Sequence, residues 1–136
     1  MPTFNHTLHT LGRATEDKIL PTINEYYNCD FKRNENDIFD VFDFKDEENN
    51  IIVEVKGRRI KSTQYDETII TMNKVTEGLK KIDLGFQVFF VFVFIDKTLE
   101  YELTEDSEFN VKITGTNSIE HAMIPITELK ELLLYT

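Results

Sequence analysis

The sequence has few cysteines and prolines, no tryptophan and no long apolar segment. A single cysteine, Cys29, excludes an internal disulfide and a cysteine-rich zinc site, and it favours a reducing, cytoplasmic compartment. The longest apolar run has about ten residues, which is too short to cross a membrane. The first residues contain no basic segment followed by an apolar stretch, so we expect no signal peptide. The sequence therefore predicts an intracellular protein that does not bind to a membrane.

Positive charge is also scarce, because 15 Lys and Arg face 25 Asp and Glu, for a net charge of −10. Affinity for phosphate comes mainly from Lys and Arg, so this balance counts against a protein that coats nucleic acid. The cations are nevertheless concentrated, with four of them in the six residues 56–61. This layout predicts a local basic lip around one site, and the alternative interpretation is a solvated loop of charges.

What the chain does have is enough apolar residues for a core. Of its 136 residues, 40% are hydrophobic, and 11 are phenylalanine. This length and content are typical of one globular domain. We therefore expect residues 1–136 to form a single domain.

The stretch from Asp40 to Arg59 predicts a β-hairpin. β-branched and aromatic residues lie on both sides of a polar turn, Asp46 to Asn50, which has no apolar member. Apolar runs of this composition on either side of a short polar segment are typical of paired antiparallel strands.

Charged residues interrupt both strands of this hairpin: Asp40 and Asp43 in the first, Glu54 and Lys56 in the second. A charged group that enters a core loses its water, so each of these needs a reason. Glu54 and Lys56 share one face, because strand side chains alternate. A structural ion pair between them is one interpretation.

A second interpretation comes from the spacing. An acidic residue, Asp43, followed eleven positions later by Glu-x-Lys on the second strand of a hairpin resembles the PD-(D/E)xK nuclease superfamily, and the spacing is similar to that of viral and phage members. The resemblance implies that Asp43 and Glu54 bind Mg²⁺ or Mn²⁺ and that Lys56 lies beside the attacking water and the scissile phosphate. Hard carboxylate oxygens suit Mg²⁺, and a cation suits the charge that develops on the phosphate. The sequence departs from the pattern in having no proline before the aspartate.

The segment from Thr7 to Tyr27 predicts a helix, because its apolar residues recur at helical spacing. Pro21 is expected to kink this helix or to end its first part. Gly12 followed by Glu16 resembles the Gly-x-x-x-Glu pattern in the first helix of many of these nucleases, which implies that Glu16 points at the metal site. The alternative for Glu16 is an ordinary carboxylate at the border of an amphipathic helix.

The two aspartates of the first strand compete for the same role. They are three residues apart, so along a regular strand only one of them can share a face with Glu54. A four-residue loop at 47–50 sets Asp43 opposite Glu54, whereas a loop one residue longer or shorter places Asp40 near Lys56 instead. We expect Asp43 to be the ligand.

The rest of the chain predicts alternating elements: a helix from Ser62 or Thr63, a strand buried on both faces at Phe86–Ile95, strands at Leu99–Leu103 and Phe109–Thr114, a last short strand at His121–Ile126, and a closing helix at Glu128–Tyr135. Pro125 indicates either a sheet edge or the end of that last strand. A helix that connects two parallel strands is expected between the hairpin and the buried strand. The fold class is therefore α/β. The resemblance implies a restriction-endonuclease-like core of order αβββαβ, a central mixed β-sheet flanked by helices, over residues 8–96. Residues 97–136 form a C-terminal β/α extension to which no chemistry is assigned.

Together these patterns predict a nuclease that uses Mg²⁺ or Mn²⁺ to hydrolyse phosphodiester bonds in DNA. The expected catalytic residues are Asp43, Glu54, Lys56 and Glu16, the expected metal ligands are Asp43, Glu54 and Glu16, and the expected nucleic-acid-binding residues are Arg58, Arg59, Lys61 and Lys74. Because the chain is acidic, a second subunit of a homodimer or a protein partner is expected to help hold the nucleic acid.

Two alternatives stay open. An RNA endonuclease of the same fold is one, because His9 lies on about the same face as Glu16 and some viral RNA endonucleases that resemble this superfamily use a helix histidine as a ligand. The other is a catalytically inactive, nuclease-like interaction domain, in which Glu54 and Lys56 are a structural pair and the acidic surface binds a basic partner.

Overall fold

The computed structural model describes residues 6–33, 42–115 and 117–132, with side chains described from residue 15 onward except those of residues 32 and 33. Two α-helices, nine strands and one 3-10 turn lie in these ranges. In chain order they are α1 (His6–Tyr27), β1 (Lys32–Arg33), β2 (Phe44–Asp46), β3 (Ile51–Gly57), β4 (Glu67–Thr71), α2 (Met72–Asp83), β5 (Gln87–Val93), β6 (Thr98–Leu103), β7 (Asn110–Thr114), β8 (Ile119–Pro125), the 3-10 turn (Ile126–Glu128) and β9 (Lys130–Glu131).

The strands form two sheets. A six-stranded mixed sheet has the order β1-β2-β3-β5-β6-β9, in which β3 and β5 are parallel and the other pairs are antiparallel. A three-stranded antiparallel sheet has the order β4-β8-β7. The predicted α/β class, with a mixed sheet and two helices, is confirmed. The predicted parallel neighbours joined through a helix are β3 and β5, and α2 lies between them in the chain.

The two helices cover opposite faces of the mixed sheet. Strand side chains alternate between faces, and this alternation sorts the core into two clusters. The cluster beneath α1 contains Ile19, Ile23, Val53, Val55, Phe89 and Val91. The cluster beneath α2 contains Ile52, Val75, Val88, Phe90 and Phe92, and it extends to Ile70, Ala122 and Ile124 of the smaller sheet. β5 is thus buried on both faces, as its unbroken apolar run predicts.

Helix α2 lies unusually close to the mixed sheet at Gly78. A Cβ atom built on Gly78 would lie 2.6 Å from Cδ2 of Leu103 and 3.4 Å from Cγ1 of Val88. Real Cβ atoms essentially never approach a neighbour to 2.6 Å. Glycine at this position therefore sets the depth at which α2 packs.

The hairpin formed by β2 and β3 has the register that the four-residue loop predicts. Phe44 pairs with Val53, and Asp46 pairs with Ile51. Residues 47–50 form the turn, and Asn50 closes it with a positive φ of 56°, a conformation that asparagine tolerates better than most residues. Alternation along β3 places Glu54 on the same face as Ile52, which is the face that α2 covers.

Helix α1 matches its predicted span but does not end at Pro21, because Pro21 lies within one continuous helix. Among the described residues, no helix is long and apolar enough to span a membrane. Side chains before residue 15, among them those of His6 and His9, lie outside the described residues. Asp40 lies outside them entirely.

Two predictions for later elements are wrong, and the alternatives for Pro125 are decided. β8 is the central strand of its sheet, and Pro125 lies at the end of that strand rather than on a sheet edge. The second helix starts at Met72 rather than at Ser62 or Thr63, because residues 67–71 pair with β8 as a strand. In the described part of the predicted closing helix, the chain forms the end of the 3-10 turn and then β9, which pairs with β6.

The physical reason for the last error is visible at Leu129 and Leu132. Leu129 has an extended backbone with φ −91° and ψ 145°, and the backbone N–H of Leu132 donates to the carbonyl of Thr98 at 3.0 Å. The apolar spacing of this short segment suits a helix as well as a strand. The free edge of β6 decides the outcome, because it offers backbone groups for pairing.

Candidate functional site

The hairpin register brings Asp43 to Glu54. Asp43 directly precedes β2, and its Oδ2 accepts the backbone N–H of Val55 at 2.8 Å, across the hairpin. Glu54 points from β3 into the core beneath α2 and is only 2% exposed. Because Val55 follows Glu54 in β3, this hydrogen bond holds the Asp43 carboxylate within interaction range of Glu54.

The two carboxylates affect each other electrostatically. The pKa of Asp43 is raised to about 7, first by burial and then by the charge and side-chain hydrogen bonding of Glu54. The N–H of Val55 and the side chain of Glu16 act in the opposite direction. A raised pKa is the expected consequence of two carboxylates that share a site without a cation between them.

Glu16 reaches this site from α1. A Cβ atom built on Gly57, at the end of β3, would lie 3.5 Å from the side chain of Thr15, so this part of α1 passes directly over the strand that carries Glu54. Glu16 is the next residue, and its side chain interacts with Asp43 closely enough to lower the pKa of that carboxyl. The structure therefore brings together Glu16, Asp43 and Glu54.

Two lysines provide the positive charge of the site. Nζ of Lys74 lies 2.8 Å from Oε2 of Glu54, and Nζ of Lys56 lies 3.7 Å from Oε1. Within the described part of the chain, Oε2 receives no well-directed hydrogen bond, so its contact with Lys74 is an ion pair. The Lys74 ammonium also lies 5.5 Å from the centre of the Phe42 ring. Lys56 is the more exposed of the two, at 34% against 17% for Lys74.

Lys74 lies deeper in the site than its prediction as a nucleic-acid-binding residue implies. It is the third residue of α2, whose first turn faces Glu54. The predicted start of this helix, Ser62 or Thr63, lies nine or ten residues before Met72, which is more than about two helical turns. A correct start at Met72 would have been the signal for this contact.

The basic residues that follow Lys56 have two different environments. Arg58 is half-buried, donates from Nη2 to the carbonyl of Ile69 at 2.6 Å, and lies 5.6 Å from the centre of the Phe92 ring. It thus connects the mixed sheet to β4. Arg59 and Lys61 are exposed, as a phosphate-binding role requires.

The residues present fit a hard divalent cation through a pair of carboxylates. Among the described residues, no group of three or more His, Cys, Asp or Glu side chains is arranged to hold a metal ion. Mg²⁺ does not need such a group, because it commonly binds one or two carboxylates and completes its shell with water and substrate phosphate. Asp43 and Glu54 supply this pair. Burial first and repulsion by Glu54 second raise the pKa of Asp43, and a bound cation would relieve that repulsion.

Comparisons with protein-family models, with curated proteins and with solved structures give no match to this chain.

Proposed function

We propose that this protein is a nuclease that uses Mg²⁺ or Mn²⁺ to hydrolyse phosphodiester bonds in DNA. The observation that carries the proposal is the meeting of Asp43 and Glu54 across the hairpin, with the Lys56 ammonium 3.7 Å from Glu54. The Glu-x-Lys spacing alone is compatible with a surface ion pair. A buried glutamate next to an aspartate of raised pKa is typical of a functional site.

The order of elements supports a restriction-endonuclease-like core for this proposal. Leaving out β4, which belongs to the smaller sheet, the chain runs α1-β1-β2-β3-α2-β5. This is the order αβββαβ that the resemblance implies. The candidate residues lie on α1, on the hairpin and on the first turn of α2, so three elements of this core converge on one site.

In this proposal Asp43 and Glu54 hold the cation, and Glu16 supports it directly or through water. A bound divalent cation lowers the pKa of its water and offsets charge on the phosphate. Lys56, at the exposed side of Glu54, positions the nucleophile and stabilises the negative charge that develops in the transition state. Lys74, on the buried side, holds the Glu54 carboxylate in place. An RNA substrate would use the same groups.

One observation favours a second candidate, a catalytically inactive interaction domain of the same fold. The 2.8 Å contact between Lys74 and Glu54 already gives the buried glutamate a partner of opposite charge. A buried carboxylate with a close ammonium can be purely structural. The two candidates differ in whether Asp43 and Glu54 bind a divalent cation.

A calorimetric titration with Mn²⁺ and a cleavage assay on DNA separate the candidates. The nuclease should bind Mn²⁺ and cleave DNA only when the metal is present. Lys56→Ala should keep its fold and lose cleavage, because its ammonium acts on the transition state. Lys80→Ala is the matched control, since it removes an exposed lysine that pairs with Glu77 on α2.

Absence of both Mn²⁺ binding and cleavage in the wild-type protein would support the interaction domain. A Lys56→Ala variant that unfolds, but cleaves at the wild-type rate in the fraction that stays folded, would show that Lys56 is structural. A parallel assay on RNA shows which nucleic acid is the substrate.

A further inference from the structure

A groove of 710 Å³ extends from Lys56 along the three-stranded sheet. Ile69 and His121 line it from the face of that sheet opposite Ala122, which is buried against the mixed sheet and α2. Ile70, which is buried in the same core cluster as Ala122, also lines the groove. The groove thus connects the candidate site to the part of the chain to which sequence analysis assigned no chemistry.

One end of this groove is cationic. His121 is the Cα partner of Thr71 on one side and of Lys112 on the other. Because neighbouring strands lie about 4.8 Å apart, these three residues span roughly 10 Å across the sheet. Lys56 lines the same groove from β3. Two lysines and a histidine therefore lie along a path that leads to Glu54.

The ring of His121 is held in a defined orientation. Its Nδ1 lies 3.0 Å from the carbonyl oxygen of Ile119 and 2.8 Å from Oγ1 of Thr114. Both of these contacts are made by Nδ1, so Nε2 is the ring nitrogen left to contact a ligand among the described residues.

The other end of the groove is aromatic and acidic. Tyr65 is 61% exposed and is the one exposed aromatic side chain among the described residues. Asp66 and Glu67 lie beside it, and Ile69 and Met123 give the groove an apolar surface. An exposed ring with apolar neighbours suits the face of a nucleobase, and the two carboxylates keep phosphates away from this end.

We propose that this groove binds a single-stranded segment of the nucleic acid whose scissile phosphate lies at Glu54 and Lys56. Phosphates lie over Lys112, His121 and Lys56, and a base stacks on Tyr65. This proposal rests on the proposed nuclease function for the role of the site, but the binding itself is separate from cleavage.

A single strand fits better than a duplex. Stacking on a tyrosine needs a base whose face is free, and a duplex presents phosphates and base edges instead.

The test is fluorescence anisotropy with a labelled oligothymidylate, the matching oligouridylate and a duplex of the same length, all in EDTA so that metal-dependent cleavage cannot occur. We expect both single strands to bind more tightly than the duplex. Lys112→Ala should weaken binding and reduce the salt slope by about 0.7. Tyr65→Ala should weaken binding by about fivefold or more, whereas Tyr65→Phe keeps the ring and the affinity.

The exposed Lys80, on α2 and outside the groove, gives the matched control, and Lys80→Ala should bind as the wild type does. Equal binding by wild type, Lys112→Ala and Tyr65→Ala would contradict the proposal that a single strand binds in this groove. A duplex that binds as tightly as the single strands would contradict it too. The nuclease function is tested separately, by wild-type hydrolysis of bis(p-nitrophenyl) phosphate with Mn²⁺. Binding that depends on Lys112 and Tyr65, without that hydrolysis, would refute the nuclease function but support single-strand binding in the groove.

Discussion

Asp43 and Asp46 are three residues apart at the start of the same hairpin, and their surroundings move their pKa values in opposite directions. Asp46, at the turn, accepts hydrogen bonds from the backbone N–H of Asn49, from its side-chain amide and from the backbone N–H of Asp30, at 2.9 to 3.1 Å. These donors lower its pKa to about 2. Burial and Glu54 raise the pKa of Asp43 to about 7.

This difference separates a structural carboxylate from a candidate functional one. Asn49 of the turn and the backbone N–H of Asp30 satisfy Asp46, which therefore needs no further partner. Asp43 has one backbone donor and lies beside two other carboxylates, so its charge is stabilised less than that of Asp46. Proximity in sequence says little about role here, because hydrogen-bond donors and burial decide the protonation state.

The largest effect should be on cleavage. Asp43→Asn removes a proposed metal ligand, and even residues that only support ligands commonly cost 10–100-fold. We expect Asp43→Asn to lower Mn²⁺-dependent cleavage by at least about 100-fold and Asp46→Asn to leave it nearly unchanged. Initial rates on a DNA substrate, with both variants shown to be folded, measure this. Equal losses in the two variants would remove the distinction between the two aspartates.

The pH dependence of stability should differ in sign. In the metal-free protein the raised pKa of Asp43 means that the folded state holds its proton more tightly than the unfolded state does. The contribution of Asp43 to the free energy of unfolding is then complete below about pH 4 and is lost as the pH rises towards 7. Asp43→Asn should be more stable than the wild type at pH 8, by up to about 4 kcal/mol, since a tenfold change in proton affinity is worth about 1.4 kcal/mol.

For Asp46 the sign is reversed, because its pKa is lowered. Its contribution is present above about pH 4 and is lost as the pH falls towards 2. Asp46→Asn should therefore be less stable than the wild type at neutral pH and approach it in acid. Urea titrations across the pH range test both variants, and parallel pH profiles for the two would contradict the opposite shifts.

A smaller effect is expected at Lys74. Lys74→Ala removes the closest cation from a glutamate that is 2% exposed, and loss of one partner of a buried pair commonly costs 3–5 kcal/mol. Lys56 remains 3.7 Å away, so we expect a destabilisation of about 2–3 kcal/mol. Lys80→Ala, which removes an exposed pair, should cost less than about 0.5 kcal/mol. A Lys74→Ala variant as stable as Lys80→Ala would show that Glu54 does not depend on Lys74.

The smallest effect concerns the exposed cations Arg59 and Lys61. If they contact phosphates, each loss should reduce the salt slope of DNA binding by about 0.7–0.9. Arg58→Ala should instead lower stability, because its guanidinium is bonded to the carbonyl of Ile69. Binding isotherms at several salt concentrations, together with thermal melts, distinguish the two roles. An unchanged slope after loss of Arg59 and Lys61 would remove the basic lip from the proposal.

The elements that the sequence predicts correctly have strong local signals. The polar turn after Asp46 sets the hairpin register, and the unbroken run in β5 can only be covered on both faces. Register and alternation then place Asp43 beside Glu54 with no tertiary information. The part of the site on the hairpin is for this reason predictable.

The parts that it does not predict depend on partners far along the chain. Residues 67–71 could extend the helix that follows, and they become a strand because β8 pairs with them. β9 forms for the same reason at the edge of β6. The contact of Lys74 with Glu54 and the groove at His121 follow from these pairings, so neither could be read from local spacing.

Gly78 has a consequence beyond packing. It lies one helical turn after Lys74, on about the same face of α2, and the missing Cβ lets the helix settle against Leu103 and Val88. The depth of that contact fixes how far the Lys74 ammonium reaches towards Glu54. A methyl group added at Gly78 would push α2 away from the mixed sheet and lengthen the ion pair, although it touches no charged atom. The charges around Glu54 therefore depend on how closely α2 packs against the sheet as well as on the side chains that α2 carries.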